Sequence, residues 1–200
     1  LRTERISAHR GTISDRNGEP LAISTPVDSI WANPKELAAA VDRVPELAAA
    51  LGLDSDLLIR RIARSMDREF LYLKRHLSPE RAAEVLALNF PGVNVQREYR
   101  RYYPAGEVTG HLLGFTDIDD AGQEGLELAY DDWLSGEPGA KRVVKDGRRH
   151  TIASVENIRS AHPGKTLKLS IDRRIQYLAY RELKAAVSKH HARSGSIVVL

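Results

Sequence analysis

The chain has 200 residues and a mass of 22.3 kDa, which allows one large domain or two small ones with a hydrophobic core. Hydrophobic residues at 42% and charged residues at 28% lie near the globular average, so the composition excludes a disordered or low-complexity chain. The net charge of +3 is only mildly basic, and the absence of cysteine excludes disulfides, thiolate metal sites and a cysteine nucleophile.

Residues 10–34 are predicted to be extended. The turn signal Asn17-Gly18 lies between the apolar positions Ile13 and Leu21, as expected for two paired strands.

Helices are predicted next, because the composition changes to an alanine-rich stretch. The first begins at Pro34, is restarted by Pro45 and ends at Gly52. Asp54 or Ser55 then caps a second helix.

A short β-prone segment at 70–73 is followed by a cap, a first-turn proline and an acid at Ser78-Pro79-Glu80, which predicts a helix over 79–88. Residues 35–90 hold nine bases and nine acids, so we expect a neutral helical subdomain inserted between extended segments.

The second half of the chain alternates strands and helices. A strand is predicted over 93–103, a pair of strands over 140–158 around an Asp146-Gly147 turn, and a short strand over 167–171. One helix is predicted over 123–134, with an apolar face formed by Leu126, Tyr130, Trp133 and Leu134.

The last segment predicts a helix and a buried strand. Asp172 begins the helix, whose apolar face comprises Ile175, Leu178, Ala179, Ala186 and Val187. Residues 196–200 form a β-branched apolar run that is typical of a buried strand.

Charge is distributed unevenly along the chain. Residues 115–137 contain eight acids and no lysine or arginine, whereas residues 141–174 contain ten bases and three acids. The two blocks are expected to fold against each other. The alternative is a basic nucleic-acid-binding module, although no aromatic residue between Trp133 and Tyr177 supplies a stacking platform.

The sequence offers no catalytic residue, metal site or cofactor site. Ser-x-x-Lys, Ser-x-Asn and Lys-Thr-Gly motifs do not occur. Pro163-Gly164-Lys165-Thr166 has the end of a phosphate-binding loop without its first glycine, and His190-His191 are neighbours that face apart on a helix.

Three short clusters rich in glycine and arginine remain, at 10–18, 101–106 and 122–127. Their glycines are expected at positive-φ turns or at close backbone contacts. The glycines are Gly11, Gly18, Gly106, Gly122 and Gly125.

At these clusters the chain resembles the N-terminal, non-catalytic region of class B penicillin-binding proteins of the division type (penicillin-binding protein 3). The matching patterns are Arg-Gly-x-Ile-x-Asp-Arg-Asn-Gly, Arg-x-Tyr-Pro-x-Gly and Gly-x-x-Gly-x-Glu. The stretches at 21–22 and 31–34 are similar to the division type as well.

The resemblance implies an α+β fold: an elongated pedestal of extended strands and short helices with an inserted helical head. The pedestal would comprise 1–34 and 91–164, and the head 35–90. Residues 165–200 would begin a truncated transpeptidase domain. Since the nucleophile motif is missing, we expect the chain to be inactive alone.

The resemblance also implies a location on the periplasmic side of the bacterial inner membrane, anchored by an N-terminal helix that is absent here. Expected partners are a SEDS-family glycosyltransferase and other division proteins. Stem peptides of peptidoglycan and penicillins would bind only the missing domain, and nucleic acid is not expected. We expect a monomer or a weak dimer.

We hypothesise that Arg10, Arg101 and Glu127 form one buried charge cluster that fastens the N-terminal arm to the third motif. Asp15 and Arg16 are candidates to join it. Arginine suits this role because it binds a carboxylate through two parallel hydrogen bonds.

Overall fold

A computed structural model describes residues 2–145 and 151–199. The strands are β1 (Arg2–Ile6), β2 (Ile13–Ser14), β3 (Pro20–Ala32), β4 (Leu71–Leu77), β5 (Val93–Tyr102), β6 (Gly139–Lys145), β7 (Thr151–Arg159) and β8 (Leu167–Lys168). The α-helices are α1 (Pro34–Leu37), α2 (Val44–Leu51), α3 (Ser55–Ala63), α4 (Pro79–Ala87), α5 (Glu107–Leu113), α6 (Gly125–Ala129), α7 (Asp131–Leu134) and α8 (Arg173–Lys189). A 3₁₀ helix at Ala38–Arg43 joins α1 to α2. This mixture confirms the predicted α+β class.

Local sequence sets the helix ends. The side chains of Asp54 and Ser78 accept hydrogen bonds from the first turns of α3 and α4, which satisfies backbone N–H groups that have no partner within the helix. Gly52 ends α2 in the left-handed conformation with φ 63°. These ends were predicted correctly from the capping residues.

The chain divides into two compact units. The first comprises Leu1–Ser7, Pro26–Arg100 and Pro138–Ser160. Within it β3 pairs antiparallel with β4, where Trp31 lies opposite Tyr72, and β6 pairs antiparallel with both β1 and β7. Its core packs α2, α3 and α4 against one face of β4 and is built from residues such as Ile30, Leu47, Leu58, Leu73 and Val85.

The second unit comprises Ala8–Thr25, Arg101–Glu137 and Ala161–Leu200. Here β2 pairs antiparallel with the beginning of β3 and parallel with β8, so that Ile13 lies opposite both Ala22 and Leu167. The buried apolar residues are few: Ile13, Leu21, Ala22, Leu113 and Leu134. With so small an apolar core, polar contacts have a larger share in holding this unit together.

The predicted single helix over 123–134 is wrong. The backbone leaves the helical region at Tyr130, with φ −116° and ψ 27°, and separates α6 from α7. Tyr130 and Trp133 are half exposed, because the break turns them away from the core and Glu127 takes the buried position instead.

The predicted buried strand at the end of the sequence is also wrong. Residues 196–199 form no strand, and Val198 is 80% exposed. Within the parts of the chain that the structure describes, no neighbouring strand offers these residues hydrogen bonds. The strands predicted over 140–158 are present as β6 and β7, whereas the turn at 146–147 lies outside the described residues.

Candidate functional site

The side chain of Arg10 donates five hydrogen bonds within the second unit. Its side chain is only 1% exposed, and all three guanidinium nitrogens are engaged. Nε donates to Glu127 Oε2 at 2.6 Å, and Nη2 donates to the backbone carbonyl of Glu127 at 2.7 Å. Nη1 donates to Asp131 Oδ1 at 2.7 Å, to Ser135 Oγ at 3.0 Å and to the carbonyl of Asp120 at 3.2 Å.

Glu127 joins Arg10 to a second buried arginine. The carboxylate is fully buried, and its other oxygen, Oε1, accepts a hydrogen bond of 2.7 Å from Arg101 Nε. Arg101 Nη1 also donates to Ser24 Oγ at 3.2 Å. The structure therefore brings Arg10, Arg101 and Glu127 together from three distant parts of the sequence. We call these three residues with Asp131 the arginine clasp.

The electrostatics of the arginine clasp favour its charged form. Burial acts to lower the pKa of Arg10, but hydrogen bonds and charge from Glu127 and Asp131 outweigh it and raise the pKa. Burial likewise acts to raise the pKa of Asp131, yet hydrogen bonds from Gly122 and Arg10 lower it. Both groups thus stay ionised at neutral pH.

In two neighbours of the arginine clasp, Tyr103 and Asp120, the pKa is raised and the neutral form is favoured. Burial, reinforced by the negative charge of Glu127, raises the pKa of Tyr103 to about 12. Burial raises the pKa of Asp120 to about 6 although Arg101 and Arg10 act to lower it. The Oδ1 atom of Asp120 is buried without a hydrogen-bond partner, which explains why its ionised form is disfavoured.

Close backbone packing surrounds the arginine clasp. A Cβ atom at Gly11 would overlap the carbonyl oxygen of Lys165, and one at Gly122 would overlap the carbonyl oxygen of Glu127. Gly125 has φ +59° and begins α6. Each of these positions therefore requires glycine for space or for backbone conformation.

The other two predicted motif glycines have open surroundings. Gly18 (φ 88°) and Gly106 (φ 51°) have positive φ in turns, and no atom lies within 4 Å of a Cβ placed at either position.

Asp15 belongs to a different network from the arginine clasp. One carboxylate oxygen accepts from the backbone N–H groups of Asn17 and Glu19 at 2.8 and 2.9 Å, and the other accepts from the N–H of Arg173 at 3.0 Å. Asn17 also donates to Asp172, which caps α8. The first motif thus holds the start of α8.

Arg16 contributes its backbone to that network. Its N–H donates to the carbonyl of Ile171 at 2.9 Å, and its side chain is exposed. Hydrogen bonds from Asn17 and from the N–H of Arg174 lower the pKa of Asp172 to about 2.

Glu98 in the first unit forms a buried polar site that was not predicted from the sequence. Arg75 donates two parallel hydrogen bonds of 3.0 Å to its carboxylate, Tyr72 donates at 2.8 Å, and Ser29 donates to the same group. Together these donors lower the pKa of Glu98 despite its burial. An isolated acid in a β-prone stretch carries no motif, so only the fold identifies it.

The described residues contain no cluster of three or more histidine, aspartate or glutamate side chains suited to a metal ion. None of the helices in the described ranges combines the length and apolarity needed to cross a membrane. Within the arginine clasp, buried Glu127 binds both Arg10 and Arg101, so the cluster holds three segments of the backbone together.

Comparison with known proteins gives one family. The model described as the penicillin-binding protein dimerisation domain matches residues 5–169. The chain is 45% identical over 200 residues to the probable peptidoglycan D,D-transpeptidase PbpC of Pseudomonas aeruginosa, and 45% identical over 207 residues to the peptidoglycan D,D-transpeptidase FtsI of Escherichia coli. Both matches cover the whole chain but only 35% of each relative.

Among solved structures, the chain is similar to a complex between penicillin-binding protein 2 and MreC from Helicobacter pylori. The TM-score is 0.70 at 19% identity, over 92% of this chain and 39% of that chain. This likeness concerns the fold.

Proposed function

We propose, from the premise that the chain belongs to the family of penicillin-binding protein dimerisation domains, that it is the non-catalytic pedestal of a peptidoglycan D,D-transpeptidase. Its relatives carry the name of that activity, and the resemblance of the three sequence motifs to this family is confirmed. In the proposed role the chain supports a penicillin-binding domain on the periplasmic side of the inner membrane during septal wall synthesis.

The arginine clasp is the observation that carries this proposal. Arg10, Arg101 and Glu127 lie in the three motifs and meet with side chains that are at most 1% exposed. A buried, geometrically specific contact of this kind holds extended segments in one arrangement without presenting a reactive group to solvent. Rigid support without catalysis is what a pedestal requires.

A three-part organisation is part of the proposal. Residues 1–34 and 91–164 form the pedestal, 35–90 form a helical head, and 165–200 begin the transpeptidase domain. The exposed apolar side chains of α8, such as Ile175 at 44% and Leu178 at 49%, support the assignment of 165–200 to a further domain. A helix that is packed into a complete core would bury these side chains.

The proposed function also includes the binding of partner proteins. The Helicobacter pylori penicillin-binding protein 2, which contains a similar fold, was solved in complex with MreC, so a protein with this fold has a protein partner. For this chain we propose a SEDS-family glycosyltransferase and other division proteins, with the chain itself a monomer or a weak dimer.

The test uses the longer protein that contains this chain, supplied to cells depleted of their own division transpeptidase. Arg101→Ala is expected to leave labelling by a fluorescent penicillin within about twofold of the parent, because acylation occurs in another domain, while septation fails. The matched control is Arg181→Ala, which alters an exposed arginine on α8 whose side chain is 57% exposed.

Two results would contradict the proposal. One is covalent labelling of the 200-residue chain by the fluorescent penicillin, which would make it a catalyst in its own right. The other is normal septation supported by Arg101→Ala.

A further inference from the structure

Asn17 is the one asparagine of the sequence that is followed by a glycine. Because glycine has no side chain, its backbone nitrogen attacks the amide carbon of a preceding asparagine with little steric hindrance, which makes such pairs prone to deamidation. Asn17 and Gly18 are both exposed, and a Cβ atom placed at Gly18 would have no atom within 4 Å. Solvent therefore reaches this pair.

The folded chain engages both reacting groups of the pair in hydrogen bonds. The attacking nitrogen, that of Gly18, donates to the backbone carbonyl of Asp15 at 3.1 Å. The leaving nitrogen, Asn17 Nδ2, donates to Asp15 Oδ2 at 3.3 Å and to Asp172 Oδ2 at 3.0 Å. Deamidation requires both nitrogens to give up these hydrogen bonds, so the folded network restrains the reaction.

The same network holds the first turn of α8. The carboxylate of Asp172 accepts from the N–H of Arg174 at 2.9 Å, and that of Asp15 accepts from the N–H of Arg173 at 3.0 Å. The Asn17 amide therefore links the two carboxylates that hold the start of this helix. We call Asp15, Asn17 and Asp172 the α8 latch.

A third carboxylate in the α8 latch would meet two that are already ionised. The hydrogen bond from Asn17 leads those that lower the pKa of Asp172 to about 2. Burial acts to raise the pKa of Asp15, but hydrogen bonds from backbone N–H groups, first that of Arg173, lower it. The guanidinium of Arg174 lies 3.5 Å from Asp172, but its side chain is 85% exposed and solvent screens its charge. Repulsion would therefore be weakly compensated.

We propose that Asn17 is a deamidation site and that its reaction opens the α8 latch irreversibly. When the start of α8 undocks, Gly18 N attacks Asn17 Cγ, its proton passes to solvent, and the Cγ–Nδ2 bond breaks as the leaving nitrogen takes up a proton and departs as ammonia. Water then opens the cyclic imide at either carbonyl and leaves aspartate or isoaspartate. The new carboxylate repels Asp15 and Asp172 and opposes redocking of α8.

This inference goes beyond the proposed function. In that function residues 165–200 begin the transpeptidase domain, so the α8 latch lies at the joint between the pedestal and the next domain. The reaction itself needs only water and the residues of the α8 latch. Its tests use neither penicillin labelling nor septation, so the two proposals stand or fall separately.

The first experiment follows deamidation of the 200-residue chain by peptide mapping and mass spectrometry at mildly alkaline pH. We expect Asn17 to react in the folded chain at least about tenfold more slowly than in urea, because the rate follows the open fraction of the α8 latch. Asp172→Ala removes one acceptor of the amide and the cap of α8, so it should accelerate the reaction of the folded chain. The matched control Asp132→Ala removes an exposed acid and should react as the parent does.

Three results of this experiment would overturn the proposal. They are no reaction at Asn17 in the folded parent, equal rates in the folded and the urea-unfolded chain, and equal rates in Asp172→Ala and the parent.

The second experiment measures hydrogen–deuterium exchange of the first turns of α8. Exchange should be at least about tenfold faster in Asn17→Asp, and in deamidated chain separated by ion exchange, than in the parent. Asn17→Ala loses the same hydrogen bonds without adding a charge and should have a smaller effect. Asn94→Asp is the matched control: it adds a charge where Asn94 donates to the carbonyl of Gly92 and should leave α8 unchanged.

The separated deamidated chain keeps the test decisive if Asn17→Asp does not fold, since this chain folded before it reacted. Amides of α2 report whether each protein remains folded. Exchange of α8 at the parent rate in the deamidated chain, or equal exchange in Asn17→Ala and Asn17→Asp, would show that the new charge does not open the α8 latch.

Discussion

Arg10 shows why one residue can have a large effect on the second unit. Its guanidinium contacts Glu127, Asp131 and Ser135 at once, through donors held in a fixed plane. A lysine ammonium is a compact point charge and cannot reach all of these acceptors from one position. The identity of the residue therefore matters as well as its charge.

We predict that Arg10→Ala lowers the free energy of unfolding by about 3–5 kcal/mol, because it leaves the buried Glu127 carboxylate with one partner fewer. Arg10→Lys should cause a smaller loss. Urea denaturation followed by circular dichroism measures both. The control is Arg81→Ala, which breaks an exposed pair with Glu84 and should cost less than about 1 kcal/mol. Equal unfolding midpoints for Arg10→Ala and the parent would contradict the prediction.

Removing the charge of Asp120 should stabilise the protein, whereas removing Arg10 destabilises it. Its pKa is raised from 3.8 to about 6, so the folded state binds a proton more tightly than the unfolded state, and stability falls as the pH rises through this window. Asp120→Asn should therefore raise the free energy of unfolding at pH 7.5 by about 1–3 kcal/mol and have little effect below pH 4. Asparagine suits the positive φ of 67° at this position.

Urea denaturation between pH 4 and pH 8 tests this prediction. Asp132→Asn, which removes a nearby exposed carboxylate, is the control and should change stability little. A variant at Asp120 that is less stable than the parent at pH 7.5 would show that its ionised form is stabilised by the neighbouring arginines.

Sequence alone identified the three central residues of the arginine clasp, since each lies in a motif dense in glycine and charge. It did not identify Asp131 or Ser135, because the break at Tyr130 that brings them to Arg10 depends on tertiary packing. The separation of Asp15 from the arginine clasp could not be predicted either. Its distant partner, the N–H of Arg173, lies at the start of α8, more than 150 positions along the sequence.

Strand and helix boundaries were predicted well where they depend on local chemistry. The side chains of Asp54 and Ser78 cap helices by accepting hydrogen bonds from backbone N–H groups three residues further on, so these caps can be predicted without the tertiary structure. The prediction of one continuous helix over 123–134 failed. The 3–4 spacing of apolar residues favoured it, but the structure buries Glu127 and breaks the helix at Tyr130. Where a charged residue is buried and paired, as Glu127 is, the apolar residues of a helix no longer indicate which face is buried.

At the scale of strands, Glu98 joins β3, β4 and β5 through donors on each neighbouring segment. Its pKa lies below the ordinary 4.5, so its contribution to stability is present above that pH and is lost as the pH falls through the lower, folded-state pKa. Glu98→Gln should lower the free energy of unfolding by about 1–3 kcal/mol at pH 7.

The same variant should differ less from the parent as the pH drops below about 4, because the parent carboxylate is then protonated as well. Thermal unfolding across this pH range measures the difference. Glu84→Gln, at an exposed pair, serves as control. A difference in stability between Glu98→Gln and the parent that is the same at all pH values would show that the charge of Glu98 does not contribute to stability.

At the scale of the whole molecule, one exposed apolar surface lies at the end of the second unit. No residue of α8 is buried, and Val198 and Val199 are 80% and 63% exposed. The chain spans 35% of the curated relatives it matches, and in the proposed function further sequence follows it. Apolar side chains on a helix and on a β-branched segment are stabilised by about 1.5–3 kcal/mol each when a partner surface buries them.

We therefore predict that residues 173–199 exchange their amide hydrogens with solvent faster in the 200-residue chain than in the longer protein. The reason is that α8 alone opens locally at low cost, whereas a covering domain couples its opening to loss of a buried interface. Hydrogen–deuterium exchange read by mass spectrometry compares the two proteins. Amides of α2 and α4 are the internal control, since Leu47 and Val85 are already buried and their protection should not change. Equal exchange of α8 in both proteins would refute the assignment of 165–200 to the start of a transpeptidase domain.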